Sequence, residues 1–367
     1  MSATQPISSM STQPTPSVTL VAAGLEILGG QGVQAEALVQ GLRKNGYAVR
    51  FLPINPQFPA SLRWLRKLRY ARTVFNQLLY LPSLASLRRS DVAHVFSASY
   101  WSFLLAPVPA LLAAKLFRKR AVLHYHSGEA EEHLSRWGAL VHPWLHLADE
   151  IVVPSEYLHD VFAHYGYHTR VVKNVVDTQR FAYRERSPLR PRLLSVRNLE
   201  PHYRVEDVVL AFPQVKARHP GATLTVAGYG SEEARLKSLA ASLGVEGIRF
   251  TGRVEPAAVP ALYAKADIFI NAAVVDNQPV SVLEAFASGL PVVSTGTGDI
   301  AAMLRHGEAG VLVPPHDPPA IAAAVNGLLE RPERALELAR AGRAEAELYT
   351  WSRIAGDWAD VYRRDLE

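Results

Sequence analysis

The chain has no cysteine, so disulfides, thiolate zinc sites, iron–sulfur ligation and thiol nucleophiles are all excluded, and any covalent or metal chemistry must use oxygen and nitrogen. It has no uncharged apolar run of the roughly 18 to 20 residues that a membrane span needs. The nearest, Tyr100 to Ala114, is 15 residues with two prolines. The first 17 residues lack Lys, Arg and any long apolar stretch. They are expected to form a disordered tail and not a signal peptide, which places the protein in the cytoplasm. Neither an Asp-x-Asp nor a His-Glu-x-x-His occurs anywhere, and no metal or other cofactor is expected. Acidic residues are missing altogether between Glu36 and Asp91, where ten basic ones stand; such a segment needs an anionic partner or open solvent.

What is present is alternation. A length of 367 residues suggests about two domains of 100 to 200 residues each. Short apolar runs at 18–24, 47–52, 91–97, 120–126, 149–153 and 169–173 are mostly separated by helical stretches. After the polar stretch 182–192 the pattern restarts, with runs near 192–196, 222–227, 247–251, 267–271, 290–295 and 309–313. Repeated βα units predict parallel sheets, hence an α/β protein of two Rossmann-like domains meeting near residue 185, with ligands in the cleft at the carboxyl ends of the strands. Residues from about 317 to the end read as helices, and the last one carries Trp351, Trp358 and Tyr362. Charge divides in the same way: residues 1–188 carry 20 basic against 12 acidic side chains, residues 189–367 carry 19 against 22. On a helical wheel through 61–81, Trp64, Leu68, Ala71, Phe75, Leu78 and Leu79 fall together, opposite Arg63, Arg66, Lys67 and Arg69. A basic amphipathic helix of this kind can lie on an anionic membrane surface, or pack its stripe on the core with its charges in solvent. Nucleic acid is not an expected partner, because the second half is acidic and basic and aromatic residues are not interleaved.

Four groups could carry chemistry. Gly29, Gly30 and Gly32 fall between a strand and a helix, where backbone amides can approach an anionic ligand. Gly30-x-Gly32-x-x-Ala35 matches the dinucleotide fingerprint, but that site wants an acidic residue about 20 positions on, and none stands from 37 to 90. Asp276 and Glu284, eight apart, would set one carboxylate in a loop and the other one turn into the following helix. They could grip opposite ends of a polyhydroxylated ligand, or simply be two solvated acids. Arg197 and Arg204 follow a strand and suit diphosphate oxygens, or are surface arginines at a helix entry. His124, His126, His133, His142 and His146 fall within 23 residues. A single histidine bonding a substrate hydroxyl is a better reading of them than a metal site, beside the alternative of packed or surface histidines.

Taken in order, the segments GGQGVQAEAL, HYHSGEAEEHL, VVKNVVDTQRF, SVRNLEPHYRVEDVVLAF, TVAGYGSEEARL, FTGRVEPAAVPALYAKADIFINAA and DNQPVSVLEAFASGLPVVSTGTGDI resemble those of the retaining, GT-B-fold family 4 glycosyltransferases, from about residue 18 to the C-terminus. The stretch from Phe250 to Pro314 is the most specific. The resemblance implies an N-terminal acceptor-binding domain over 18–185 and a C-terminal nucleotide-sugar domain over 186–350. The helix over 351–367 would return to the first domain. It further implies that Glu284 binds the donor ribose, that Asp276 holds the donor sugar, and that the amides around Pro279, Val280 and Ser281 face sugar and diphosphate. Arg197 matches the phosphate-binding arginine, with Arg204 as a second contact; Arg253 and Val254 match the base-binding segment, and Gly228 and Gly230 its glycines. His126 matches the histidine that meets the sugar, and Gly30 the loop near the phosphates or acceptor.

The activity so implied is metal-independent transfer of a hexosyl group, with retention, from a UDP- or GDP-sugar to a hydroxyl of a glycan acceptor. With the basic segment 61–81, that acceptor is expected to be lipid-linked, in polysaccharide or envelope glycan assembly. The protein would then be cytoplasmic and peripheral on the inner face of the plasma membrane. Four positions depart from the family pattern. The first acid is Asp276; Tyr203-Arg204 replaces Lys-Gly; Gly298-Asp299 replaces Gly-Gly; and Asn174-Val175-Val176-Asp177 replaces Asn-Gly-Val-Asp. A catalytically silent nucleotide-sugar-binding relative is the alternative.

Overall fold

The computed structural model describes residues 15–24, 30–97 and 99–363, the side chains of Arg63, Arg66, Lys67 and Arg69 excepted. Most of the expected tail, 1–14, and Gly29 of the glycine loop lie outside these. The apolar runs form strands within a few residues of their expected bounds. The first six are β1 (Val18–Ala22), β2 (Val49–Pro53), β3 (Val92–Ser97), β4 (Arg120–Tyr125), β5 (Glu150–Val153) and β6 (Arg170–Val171). The second six are β7 (Arg192–Val196), β8 (Thr223–Ala227), β9 (Ile248–Gly252), β10 (Ile268–Asn271), β11 (Val292–Thr295) and β12 (Val311–Val313). Helices cover the sheet faces, so central strands such as β1 are buried along their whole length and read as continuous apolar runs.

Each half is one six-stranded sheet, ordered β2-β1-β3-β4-β5-β6 and β12-β11-β10-β7-β8-β9, and every strand pair is parallel. The strand order reverses between β1 and β3 in the first sheet and between β7 and β10 in the second. Loops leaving neighbouring strands diverge there and open a crevice at their carboxyl ends. Arg197 directly follows β7, and Asp276 stands in the loop after β10. The reversal in the second sheet thus brings together two residues 79 apart in the chain.

The last helix, Trp351–Tyr362, belongs by sequence to the second half and by packing to the first. Ile354, Trp358, Val361 and Tyr362 join one apolar cluster with β1, β3 and β4. The Trp351 ring fills the space a side chain at Gly41 would need, a Cβ there lying 2.3 Å from it, and its Nε1 donates to Asn45 Oδ1 at 3.1 Å.

Two local expectations are corrected. Gly30 and Gly32 lie inside the first turn of the helix Gly30–Lys44, not in a loop ahead of it. The segment 61–81 is not one helix with one buried stripe. Extended backbone at Leu68 separates a short 3-10 helix, Ala60–Lys67, from the helix Arg69–Ser83. Phe75 and Tyr80 turn inward, the first edge-on to Phe58 and the second donating to the Ala106 carbonyl. Trp64, Leu68 and Leu78 of the expected stripe are 58%, 50% and 63% exposed, and Leu78 joins Tyr70, Val74 and Leu81 in an apolar face, 48–82% exposed, along the helix.

Candidate functional site

A cavity of about 640 Å³ lies between the two halves. From the first half it is lined by the helix start at Gly30, Gln31 and Gln34 and by the segment 126–129 after β4. From the second half it is lined by the segments after β7, β8 and β10 and by the N-terminus of the helix Val280–Ala287. Ten residues expected at the site line it: Gly30, His126, Arg197, Gly228, Val254, Asp276, Pro279, Val280, Ser281 and Glu284.

Arg197 is nearly buried and forms an ion pair with Asp276. Its Nη1 donates to Ser281 Oγ at 3.3 Å, and the guanidinium lies 4.0 Å over the ring of Tyr203. Its buried Nε has no partner among the described residues. Behind it, Gly228 has φ +144°, and a Cβ there would sit 1.8 Å from the Arg197 carbonyl oxygen. Only glycine lets the loops after β7 and β8 nest this closely.

Glu284 sits one turn into the helix Val280–Ala287, a helix with seven of eight residues buried. Burial pushes its carboxyl up to about 7, against the opposing effects of the Tyr263 hydrogen bond and the Arg180 charge. The Tyr263 hydroxyl donates to it at 2.7 Å. Amides at the helix start, Glu284 at one end and the Arg197–Asp276 pair at the other can together hold a ligand with hydroxyls and an anionic centre.

His126 follows β4, its ring stacked on Phe96 at 4.9 Å and 4.0 Å from that of His124. Burial lowers its pKa to about 3, so it meets the cavity as a neutral imidazole. Behind it a hydrogen-bonded chain runs to the last helix: His124 Nδ1 to His94 Nε2 at 3.1 Å and His94 Nδ1 to the Tyr362 hydroxyl at 2.7 Å. The five clustered histidines do not converge. His133 bonds Tyr125, His142 bonds Tyr167, and among the described residues no group of three or more side chains could hold a metal ion.

Three expected residues are not brought to the cavity. Arg204, in a left-handed conformation at φ 47°, forks onto Asp207 at 2.7 and 3.1 Å and reaches Glu206 at 3.4 Å. Its guanidinium is held at its own helix entry, off the cavity lining. Arg253 is half exposed beside Glu255 with its guanidinium 5.7 Å from the Tyr229 ring, and only its neighbour Val254 faces the cavity. Gly230 packs on the Leu199 carbonyl, a role in backbone fit.

Reading the sequence missed the residues that hold the halves together. Within the first half, Gln34 braces the Val175 backbone in both directions, at 2.6 and 2.8 Å, beside the crossing residue Asn174. Asn174 bonds Gln278 twice, N to Oε1 at 2.8 Å and Nδ2 to O at 2.9 Å, and Gln278 Nε2 donates to Asp299 at 2.9 Å. Ser155 donates to Asn277. A Cβ on Gly128 would lie 2.7 Å from the Asp276 backbone, so the halves meet there main chain to main chain. The signal available was in the departures themselves: Val175 and Asp299, each standing where the family pattern has glycine, are both members of this clamp.

Two family models match the chain: Glycosyl transferases group 1 over residues 178–345 and Glycosyltransferase Family 4 over 28–180. A glycogen synthase of Mycobacterium tuberculosis is 30% identical over 290 residues, 75% of this chain and 69% of that protein. A GDP-mannose-dependent alpha-(1-6)-phosphatidylinositol monomannoside mannosyltransferase of the same organism is 31% identical over 48% of each chain. Among solved structures, sucrose-phosphate synthase from Thermosynechococcus elongatus superposes with TM-score 0.73 at 19% identity, covering 95% of this chain and 98% of that one. Anabaena HepE in complex with UDP-glucose superposes with TM-score 0.72 at 17% identity, covering 94% and 99%. At these identities the structures establish a shared GT-B fold of two Rossmann-like domains.

Proposed function

The chain belongs to the group 1, family 4 glycosyltransferases, and from that premise we propose that it moves a hexosyl group from a UDP- or GDP-sugar to a glycan hydroxyl with retention at the anomeric carbon. The observation that carries this reading is the single cavity between the strand ends of both sheets, with Arg197, Asp276, Glu284 and the helix start at Val280 all facing it. Glu284 would accept the ribose hydroxyls. Arg197 and the amides of Val280 and Ser281 would stabilise charge building on the departing diphosphate, a role that needs no metal. The departing phosphate itself would take the acceptor proton, on the same face as the bond that breaks. Asp276 and neutral His126 would orient the sugar between them, and the closed halves would keep water from the reacting carbon.

Calorimetric titration of UDP and of GDP into the wild type and Glu284→Ala tests the donor site. Micromolar binding of one nucleotide, weakened at least tenfold in the variant, is expected; no binding of either removes the reading. Transfer that survives a chelator is expected as well.

The acceptor we propose is lipid-linked, in envelope or polysaccharide assembly, met at an anionic membrane. The outward apolar face of Trp64, Leu68, Tyr70, Val74, Leu78 and Leu81 supports this. So do the five basic residues between Arg63 and Arg72. No helix of the described residues is long and apolar enough to cross a membrane. Flotation with vesicles containing anionic phospholipid at low salt is the check, and protein left at the bottom of the gradient would remove the membrane contact.

A further inference from the structure

Beside the donor cavity, on the first half, stands a group of aromatic side chains that no step above uses. Tyr100 and Trp101 leave the end of β3, next to β4 and the segment 126–129 in the sheet order. Trp101 is 64% exposed. Its ring meets that of Trp137 at 5.3 Å and 89°, so the two rings form the walls of a right-angled corner. Tyr100 packs edge-on against Trp137 at 5.6 Å and against buried His133 at 5.3 Å. Its backbone lies at φ 59°, ψ −135°, a region costly for any residue with a side chain, and such strain persists only where the surroundings enforce it. Here the ring is held between Trp137 and His133, and burial, with the nearby charges of Glu129 and Glu132, pushes its pKa up to about 12. Glu129 also lines the donor cavity, and Gln31, another lining residue, holds the carbonyl of Ser97 at the end of β3 at 3.1 Å. Glu129, which faces the cavity, thus also acts on the Tyr100 ring of the corner.

We propose that the Trp101–Trp137 corner, with Glu129 and Glu132, is the subsite for the terminal pyranose of the acceptor. An indole face left open to solvent suits the C–H face of a sugar ring, and carboxylates at its rim accept hydroxyl hydrogen bonds. Glu132 is paired with Arg136 at 2.6 Å, so Glu129 is the carboxylate that sets the ligand class, an uncharged hexopyranose that would meet it through hydroxyls. This rests on the transferase reading for its meaning, but its geometry does not depend on the donor site.

The test applies fluorescently labelled wild type, Trp101→Ala and Trp101→Phe to an array of immobilised glucose-, galactose-, mannose- and N-acetylglucosamine-terminated oligosaccharides, with UDP or GDP titrated calorimetrically in parallel. Retention on a subset of neutral glycans is expected, reduced at least tenfold in Trp101→Ala and largely restored in Trp101→Phe, with nucleotide affinity within twofold of wild type in both. Wild type that retains on no glycan, or Trp101→Ala that retains equally, overturns the subsite. Loss of vesicle flotation in Trp101→Ala with glycan retention intact also overturns it, by making the corner a membrane contact. Failure of nucleotide binding with Trp101-dependent glycan retention would remove the donor reading and leave the subsite standing.

Discussion

The two halves face one cavity with different chemistry. The second half presents charge held by local partners: Arg197 on Asp276 and Ser281, Glu284 on Tyr263. The first presents mostly backbone, amide and neutral ring, Gly30, Gln31, Gln34, Gly128 and an unprotonated His126, with Glu129 and Arg180 as its charges at the lining. A half that takes a diphosphate must supply cationic and dipolar groups, whereas one that closes over a sugar must approach it and exclude water. Removing side chains should therefore damage the second half, and adding atoms should damage the first.

The largest effect expected from a single change lies where that division is crossed. Trp358, from the second half of the sequence, is buried against His94 and His124 of the first at 5.0 Å each. Trp358→Ala should cost about 3–5 kcal/mol of stability, as for other buried large-to-small changes. A urea titration measures it, and a loss under about 1 kcal/mol would mean that the helix Trp351–Tyr362 is not part of the first half's core.

Next in size is Arg197→Ala. It removes the fork expected to meet the diphosphate and leaves Asp276 without its cation, so kcat should fall by roughly 10²–10³, as when a single stabilising donor is deleted. Steady-state transfer assays read it; a change confined to donor KM would show that Arg197 serves binding alone.

Gly128→Ala turns the comparison round, since here one added methyl has no room beside the Asp276 backbone. The halves cannot then close fully, and a misplacement of about 1 Å should lower kcat/KM by roughly 10- to 100-fold. UDP or GDP affinity, a property of the second half, should stay within a few-fold of wild type. An equal loss of nucleotide affinity would show that the donor site needs both halves.

The same contrast explains what could be read in advance. Strand positions, sheet count and most of the second half's cavity residues were legible, because a buried parallel strand must be an apolar run and a charged residue at its end needs a reason. Arg204 and Arg253 stand off the cavity lining because of neighbours: Asp207, three positions on, holds the first, and the second lies beside Glu255. The clamp of Asn174 and Gln278, braced by Gln34, left no periodic trace, since single amides meeting across a cleft have no local signature. Tyr70, Val74 and Leu81 fall off the expected stripe because a single helical wheel runs through the break at Leu68.

The smallest expected effect separates the halves by pH. Glu284 ionises near 7 when folded against an ordinary value of 4.5. The folded chain thus holds a proton that the unfolded chain has lost, and this stabilisation, complete below 4.5, disappears as pH rises through 7. His94 and His126 are the reverse. With folded values near 3 against 6.5, they contribute fully above 6.5 and lose that contribution as pH falls toward 3. Glu284→Gln should therefore remove the fall in melting temperature that Glu284 causes between pH 4.5 and 7 and leave the histidine contribution unchanged, a difference of about a few degrees across that window. Because the ionised carboxylate is the better acceptor for ribose hydroxyls, nucleotide affinity in the wild type should rise with pH through 7 and binding should release a proton. Affinity that is flat across this range, or equally pH-dependent in Glu284→Gln, would mean that the buried carboxyl does not meet the ligand as an acceptor.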